Sequence, residues 1–139
     1  ASDGEGPATP GVHALTDVTG FGLAGHALEM ARGAGLTVEL SAARLPAYPH
    51  AMEMIDRDLL CGGSRGNRKA LEGHADFSAA KEAETWLACD AQTSGGLLIA
   101  VAEAETEALM AALHDAGVTD ATLVGAIAEG EAGKVILRR

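Results

Sequence analysis

A layered α+β domain, a mixed sheet covered by helices, is the fold class this sequence predicts, and three observations carry it. An apolar stripe at helical spacing (Leu23, Ala27, Leu28, Ala31) runs into glycines and then into the alternating stretch LTVEL at 36–40. The C-terminal half reads β-α-β-β, which makes the element order partly ferredoxin-like. The chain is 47% hydrophobic but has only four aromatics, so its core must come from Leu, Val, Ile, Met and a great deal of Ala, and its helices must pack closely. At 139 residues there is chain for one domain.

Taken in order, residues 1–12 are small, polar and rich in Gly and Pro, the composition of a flexible tail or linker, and 13–139 form the domain. The stripe predicts a helix from Gly22 to Arg32, with Gly33 and Gly35 available for a left-handed cap. LTVEL follows as a short strand. YPHAMEMIDRDLL (48–60) starts with Pro49 near a first helical turn and aligns Met52, Ile55 and Leu59, predicting a second helix. CGGSRGNRK (61–69) breaks all periodicity, and the chain to about Lys81 reads as irregular. GGLLIAVA (95–102) predicts a buried strand. The following segment predicts a helix with Glu103, Glu105 and Glu107 at its positive end and Gly117 past its last turn. ATLVGAIAEGEAGKVILR (121–138) reads as two strands joined by a hairpin.

Charge excludes some partners. Twenty acidic residues against ten basic ones give a net charge of −10, which repels nucleic acid and anionic membrane alike. An anionic ligand would need local help from a divalent cation, a helix N-terminus or a small basic cluster. Cys61 and Cys89 lie far apart, and no histidine pair has metal-ligand spacing, so neither a zinc site nor a disulfide framework is indicated and a reducing cytoplasm is expected. The longest apolar run, LLIAVA, is far too short to span a bilayer.

Three glycine-bearing stretches are candidates for chemistry. TDVTGFGLAGH (16–26) places Asp17, a hard oxygen donor suited to Mg²⁺, ahead of Thr19, Gly20 and Gly22, whose backbone amides are candidates to face a phosphate at a helix N-terminus. Asp17 or Thr19 acting only as a helix cap is the plainer alternative. The same glycines spell G-x-G-x-x-G with Glu39 about twenty residues on, a dinucleotide fingerprint weakened by the carboxylate and hydroxyls of HALTDVT where a buried parallel strand is required. CGGSRGNRK gathers Arg65, Arg68 and Lys69 as a possible anion contact, against the alternative of a solvated loop. CDAQTSGGLLIA (89–100) reads as an ordered turn entering a strand, with Asp90, Thr93 and Ser94 able to bond backbone. Cys89 has no neighbour that would activate it and is expected to be a buried structural thiol.

Together, TDVTGFGLAGHALEMA, GGSRGN and DAQTSGGLL, in this order, resemble the C-terminal half of the selenophosphate synthetases (selenide, water dikinases), within the superfamily that includes aminoimidazole ribonucleotide synthetase. The resemblance runs from about His13 to the C-terminus. Ala91 stands where the family has Pro, which loosens the turn but leaves Gln-Thr-Ser-Gly-Gly intact. The resemblance implies synthesis of selenophosphate, AMP and phosphate from ATP, selenide and water, with Mg²⁺ on the polyphosphate and Asp17 among its ligands. It also implies partnership with an N-terminal ATP-binding half and a homodimer. The family's reactive Cys or selenocysteine, its Lys and its glycine-rich segment have no match here, so no catalytic residue is assigned and the chain alone is expected to be inactive. A regulatory or assembly module of the same fold, and a dinucleotide-binding domain, are the alternatives.

Overall fold

A computed structural model describes residues 11–139; residues 1–10 of the expected tail lie outside the described residues. The first strand, β1 (Val12–Asp17), begins inside the last position assigned to that tail. It pairs antiparallel with β4 (Leu97–Val101) in a two-stranded ribbon. The second sheet is mixed, in the order β3 (Ala75–Asp76), β6 (Lys134–Arg138), β2 (Thr37–Ser41), β5 (Gly125–Ala128).

Helix α1 (Gly22–Ala34) organises the interior. Its Ala24, Ala27, Leu28 and Ala31 are buried, and the small alanines let it lie close on β2 and β6 while also meeting the helices α3 (Gly62–Ala70) and α4 (Glu82–Cys89) and reaching the ribbon. Gly35 ends it in the left-handed conformation (φ 67°), its N–H closing on the last carbonyls, as the sequence predicts. Val38, Leu40, Val135 and Leu137 supply the sheet's side of the core.

Four segments differ from expectation. The helix expected over 48–60 shrinks to α2 (Ala51–Asp56), because Asp58 takes a left-handed φ of 58° that no α-helix continues through. CGGSRGNRK is no loop: Gly62–Ala70 is helix α3, capped by Cys61, whose Sγ accepts the Ser64 N–H. Helix α4 (Glu82–Cys89) lies beyond the stretch read as irregular and buries Thr85, Ala88 and Cys89. The expected hairpin is split: β5 runs antiparallel to β2 and β6 parallel to it, so β2 lies between the two. Their connection is held at the mouth of β2, where Thr37 Oγ1 donates to the Glu131 carbonyl at 2.7 Å and Gly133 N–H to the Leu36 carbonyl.

Strand β4 is half-buried, not buried, since Leu98 and Ala100 face inward while Leu97 is 63% exposed. Helix α5 (Glu103–Asp115) forms as predicted, and no residue of it is fully buried.

Candidate active-site cleft

Asp17 is the last residue of β1 and sits across the ribbon from Leu97. Its carboxylate is exposed, and among the described residues nothing hydrogen-bonds it. It opens onto a cleft of about 240 Å³ whose one wall is Asp17, Val18 and Thr19 and whose other is Thr93 through Leu97. Main-chain bonds close the floor. Val18 N–H donates to Gly96 O at 2.8 Å, Gly95 N–H to Val18 O at 2.9 Å, and Gln92 N–H to Thr19 O at 3.0 Å.

Two glycines are demanded by this closeness. A Cβ on Gly95 would lie 2.6 Å from the Val18 carbonyl, and one on Gly22, where φ is 71°, would lie 2.8 Å from the Asp90 carbonyl. The TDVTGFG and DAQTSGG stretches are therefore backbone against backbone. Gly20 is different: a Cβ there would meet nothing within 4 Å.

The third stretch buttresses the other two. Asn67 of α3 donates from Nδ2 to the Gly20 carbonyl (2.8 Å) and the Cys89 carbonyl (3.0 Å). Fully buried Ser64 donates to Asp90 Oδ1 at 2.7 Å and accepts the Ala91 N–H at 3.1 Å. The Gln92 amide donates to the other Asp90 oxygen, so both Asp90 oxygens are occupied. Sequence alone left GGSRGN as a loop, and the signal for its role is the polar pair Ser64 and Asn67, three apart and so on one helix face.

The sequence-derived site residues divide accordingly. Asp17 faces the cleft. The amide of Thr19 does not serve a phosphate, because it donates to Nε2 of His26 at 3.0 Å. The Gly22 amide is likewise engaged, closing a turn on the Thr19 carbonyl at 3.0 Å. Among the three, Gly20 alone keeps an amide without an acceptor among the described residues. The hydroxyl residues Thr93 and Ser94, which the sequence singled out only as turn formers, share the cleft with Asp17.

The basic knot does not reach it. Arg65 pairs with Asp58, and Arg68 makes two bonds to Glu82 while its guanidinium lies 4.4 Å from the centroid of the Trp86 ring. The hydrogen bond from Arg68 holds the Glu82 carboxyl below its ordinary range. Lys69 contributes no ion pair among the described residues.

The dinucleotide reading fails on the same geometry. The strand before its first glycine is antiparallel and half-exposed, and Glu39, its ribose contact, accepts from Arg138 Nη2 at 2.7 Å. Cys89 is buried and its thiol is pushed up to about 11 by desolvation, as suits a structural thiol. Exposed Cys61 is a helix cap whose thiol is lowered by its bond with Ser64. Among the described residues no three His, Cys, Asp or Glu side chains gather as a metal site, so any cation at Asp17 would need donors from elsewhere.

Comparison with known proteins identifies the relatives of this domain. Residues 5–138 match the family model described as AIR synthase related protein, C-terminal domain. The selenide, water dikinase of Pelobacter propionicus is 44% identical over 127 residues, covering 91% of this chain and 36% of that protein. The corresponding protein of Burkholderia pseudomallei is 42% identical, covering 90% and 36%, and that of Pseudomonas straminea 38%, covering 86% and 34%. The chain thus spans about a third of the length of the curated relatives it matches. A solved structure of the hydrogenase maturation protein HypE superposes with a TM-score of 0.56 at 18% identity, covering 90% of this chain and 33% of that one, a likeness of fold.

Proposed function

Since the chain belongs to the family of AIR synthase related protein C-terminal domains, we propose that it is the C-terminal part of a selenide, water dikinase, supplying one wall of a cleft for ATP-dependent synthesis of selenophosphate. The single observation that carries this reading is Asp17: an exposed carboxylate with no partner among the described residues, at the lip of a cleft built from the family's motifs. A mere helix cap would have spent that carboxylate on α1, whereas the N-cap position is Phe21 and among the described residues the Asp17 carboxylate makes no bond to the helix.

The donor set suits Mg²⁺, a hard cation that takes one or two protein carboxylates and completes its octahedron with water and substrate phosphates. Asp17 would hold it from this side, with the other ligands on the N-terminal ATP-binding half. When bound, the cation supplies neutralisation of charge moving along the polyphosphate. The chain's own residues act by placement. The zipped floor from Val18 to Gly96 keeps Asp17 in one cleft with Thr93 and Ser94, whose hydroxyls are available to hydrogen-bond phosphate oxygens. Selenide would take one phosphoryl group of ATP and water a second, giving selenophosphate, phosphate and AMP.

In this reading the full protein is a cytoplasmic homodimer acting on ATP and selenide. Both cysteines are free, in keeping with a reducing compartment, and no helix among the described residues is long and apolar enough to cross a membrane.

The test is Asp17→Asn in the full-length protein, assayed for Mg²⁺-dependent AMP formation with selenide. A loss of 100-fold or more, on the order of that for a lost electrostatic contact in an active site, is expected with the fold unchanged. Full activity in the variant would overturn the assignment. The 139-residue chain alone should show no turnover and, by calorimetry, weak or undetectable Mg²⁺ binding.

A further inference from the structure

We infer that His26 is a positioning residue for Asp17: its imidazole, carried on α1, fixes the peptide unit that decides how the Asp17 carboxylate is presented to the cleft. This rests on the proposed reading of Asp17 as a cation ligand.

The chain leaves β1 at Asp17 and enters α1 at Gly22. The unit joining Val18 to Thr19 is one rigid plane. Its carbonyl accepts the Gly95 N–H at 2.9 Å, while its N–H has no main-chain acceptor among the described residues and donates to Nε2 of His26 at 3.0 Å. One plane is thus gripped at opposite edges, by the 92–96 turn and by α1. The preceding plane, from which the Asp17 side chain hangs, is held through the Val18 N–H on the Gly96 carbonyl. Only φ and ψ of Val18 lie between these two planes, and Val18 is buried. Asn67 reaches the Gly20 carbonyl, farther along the chain, and leaves this plane to His26. Without Nε2, the wall bearing Asp17 and the 92–96 turn would be free to shift together against α1.

The imidazole is firmly held. It is 6% exposed, and its helix neighbours Ala24 and Ala27 are wholly buried. Nδ1 lies 3.1 Å from Glu29 Oε2, and the Phe21 ring stands 5.5 Å away, centroid to centroid. Thr19 Oγ1 lies 3.2 Å from Nε2. Because Nε2 presents its lone pair to the Thr19 N–H, that hydroxyl also donates to it, and one nitrogen fixes both the amide and the side chain of Thr19. His26 is not among the residues lining the cleft, so it acts through Thr19 and not by touching cation or phosphate. Groups that orient a metal ligand in this way govern roughly 10–100-fold in affinity or activity, and sites held from helices are placed more precisely than sites held from loops.

The test follows Mn²⁺, a paramagnetic substitute for Mg²⁺, on the full-length protein with a non-hydrolysable ATP analogue, read by electron paramagnetic resonance beside Mg²⁺-dependent AMP formation. His26→Phe should weaken roughly tenfold the Mn²⁺ site that Asp17→Asn removes, and raise the Mg²⁺ needed for half-maximal turnover by a like factor. His26→Gln, whose amide oxygen reaches the place of Nε2, should restore most of both. His26→Asn, polar but one carbon shorter, should not. In an Asp17→Asn background, His26→Phe should change nothing further, because the group through which it acts is already gone. Unaltered Mn²⁺ binding in folded His26→Phe overturns the proposal, as does a further loss in the Asp17→Asn background or equal recovery by Gln and Asn. Should His26→Phe not fold, the comparison of Gln with Asn decides alone. Failure of the underlying reading shows separately, since Asp17→Asn would then leave Mn²⁺ binding and turnover intact.

Discussion

The Thr19 backbone N–H donates to Nε2 of His26 at 3.0 Å, and this bond fixes the imidazole as the neutral tautomer protonated on Nδ1. A backbone N–H can only donate, so Nε2 must present its lone pair. The Nδ1 proton then points to Glu29 Oε2, 3.1 Å away. Thr19 is thereby held at both ends of its peptide units, since its carbonyl accepts from Gly22 and Gln92. His26→Phe, which keeps the bulk and removes the acceptor, should cost about 1–3 kcal/mol in urea unfolding. His26→Gln, with an amide oxygen to accept, should recover part of it. Equal stability of all three proteins would refute this account.

Glycines 95 and 20 should respond oppositely to the same methyl group. Gly95→Ala drives a Cβ into the Val18 carbonyl at 2.6 Å and should destabilise the domain by roughly 1–3 kcal/mol. Gly20→Ala meets open space and should change the melting temperature by little. If Gly95→Ala melts like the wild type, the closed floor of the cleft is wrong.

Ser64→Ala removes the hydroxyl that serves both Asp90 and Ala91 N–H inside the fold, leaving the amide without its acceptor. A loss of about 1–3 kcal/mol follows from the desolvated partners. Proteolytic cleavage within 90–96 should rise along with it, because that turn loses its anchor to α3. An unchanged cleavage rate would count against α3 as a buttress.

The two cysteines should differ in reactivity and in their effect on alkaline stability. At pH 8, iodoacetamide should modify exposed Cys61 quickly and buried Cys89 only on unfolding. The Cys89 thiol is raised from 9.0 to about 11 by burial, so above pH 9 the unfolded chain releases its proton before the folded one. Stability must therefore fall as pH rises from about 9 toward 11, and this group's share is on the order of 2–3 kcal/mol. Cys89→Ala should flatten that slope. A slope of the same steepness in the variant would assign the alkaline loss elsewhere.

How much of this was legible in the sequence depended on how local the cause was. Helix α1, its Gly35 stop and strand β2 follow from spacing and one left-handed residue, and they form as read. Helix α3 was invisible because its sequence has three glycines and no apolar stripe; Cys61 caps it, and Ser64 and Asn67 reach partners 22 to 47 residues away. The split of β5 from β6 is equally non-local, since only the tertiary fold puts β2 between them. At the cleft, Asp17 was readable as a donor before a glycine turn. Its companions Thr93 and Ser94 were not, because only the long-range main-chain bonds of Val18 and Thr19 to Gln92, Gly95 and Gly96 bring their turn to the same cleft.

Strand β6, the last element in the chain, runs between β2 and β3, and its Val135 and Leu137 are wholly enclosed. During translation the ribosome therefore delivers the keystone late: α1 and β2 emerge with a greasy side uncovered and must wait until residues 134–138 are made. Newly made chains should lean on chaperones over that interval, and a stop codon just ahead of Lys134 would yield a product fit for degradation, although every residue around Asp17 had already been made.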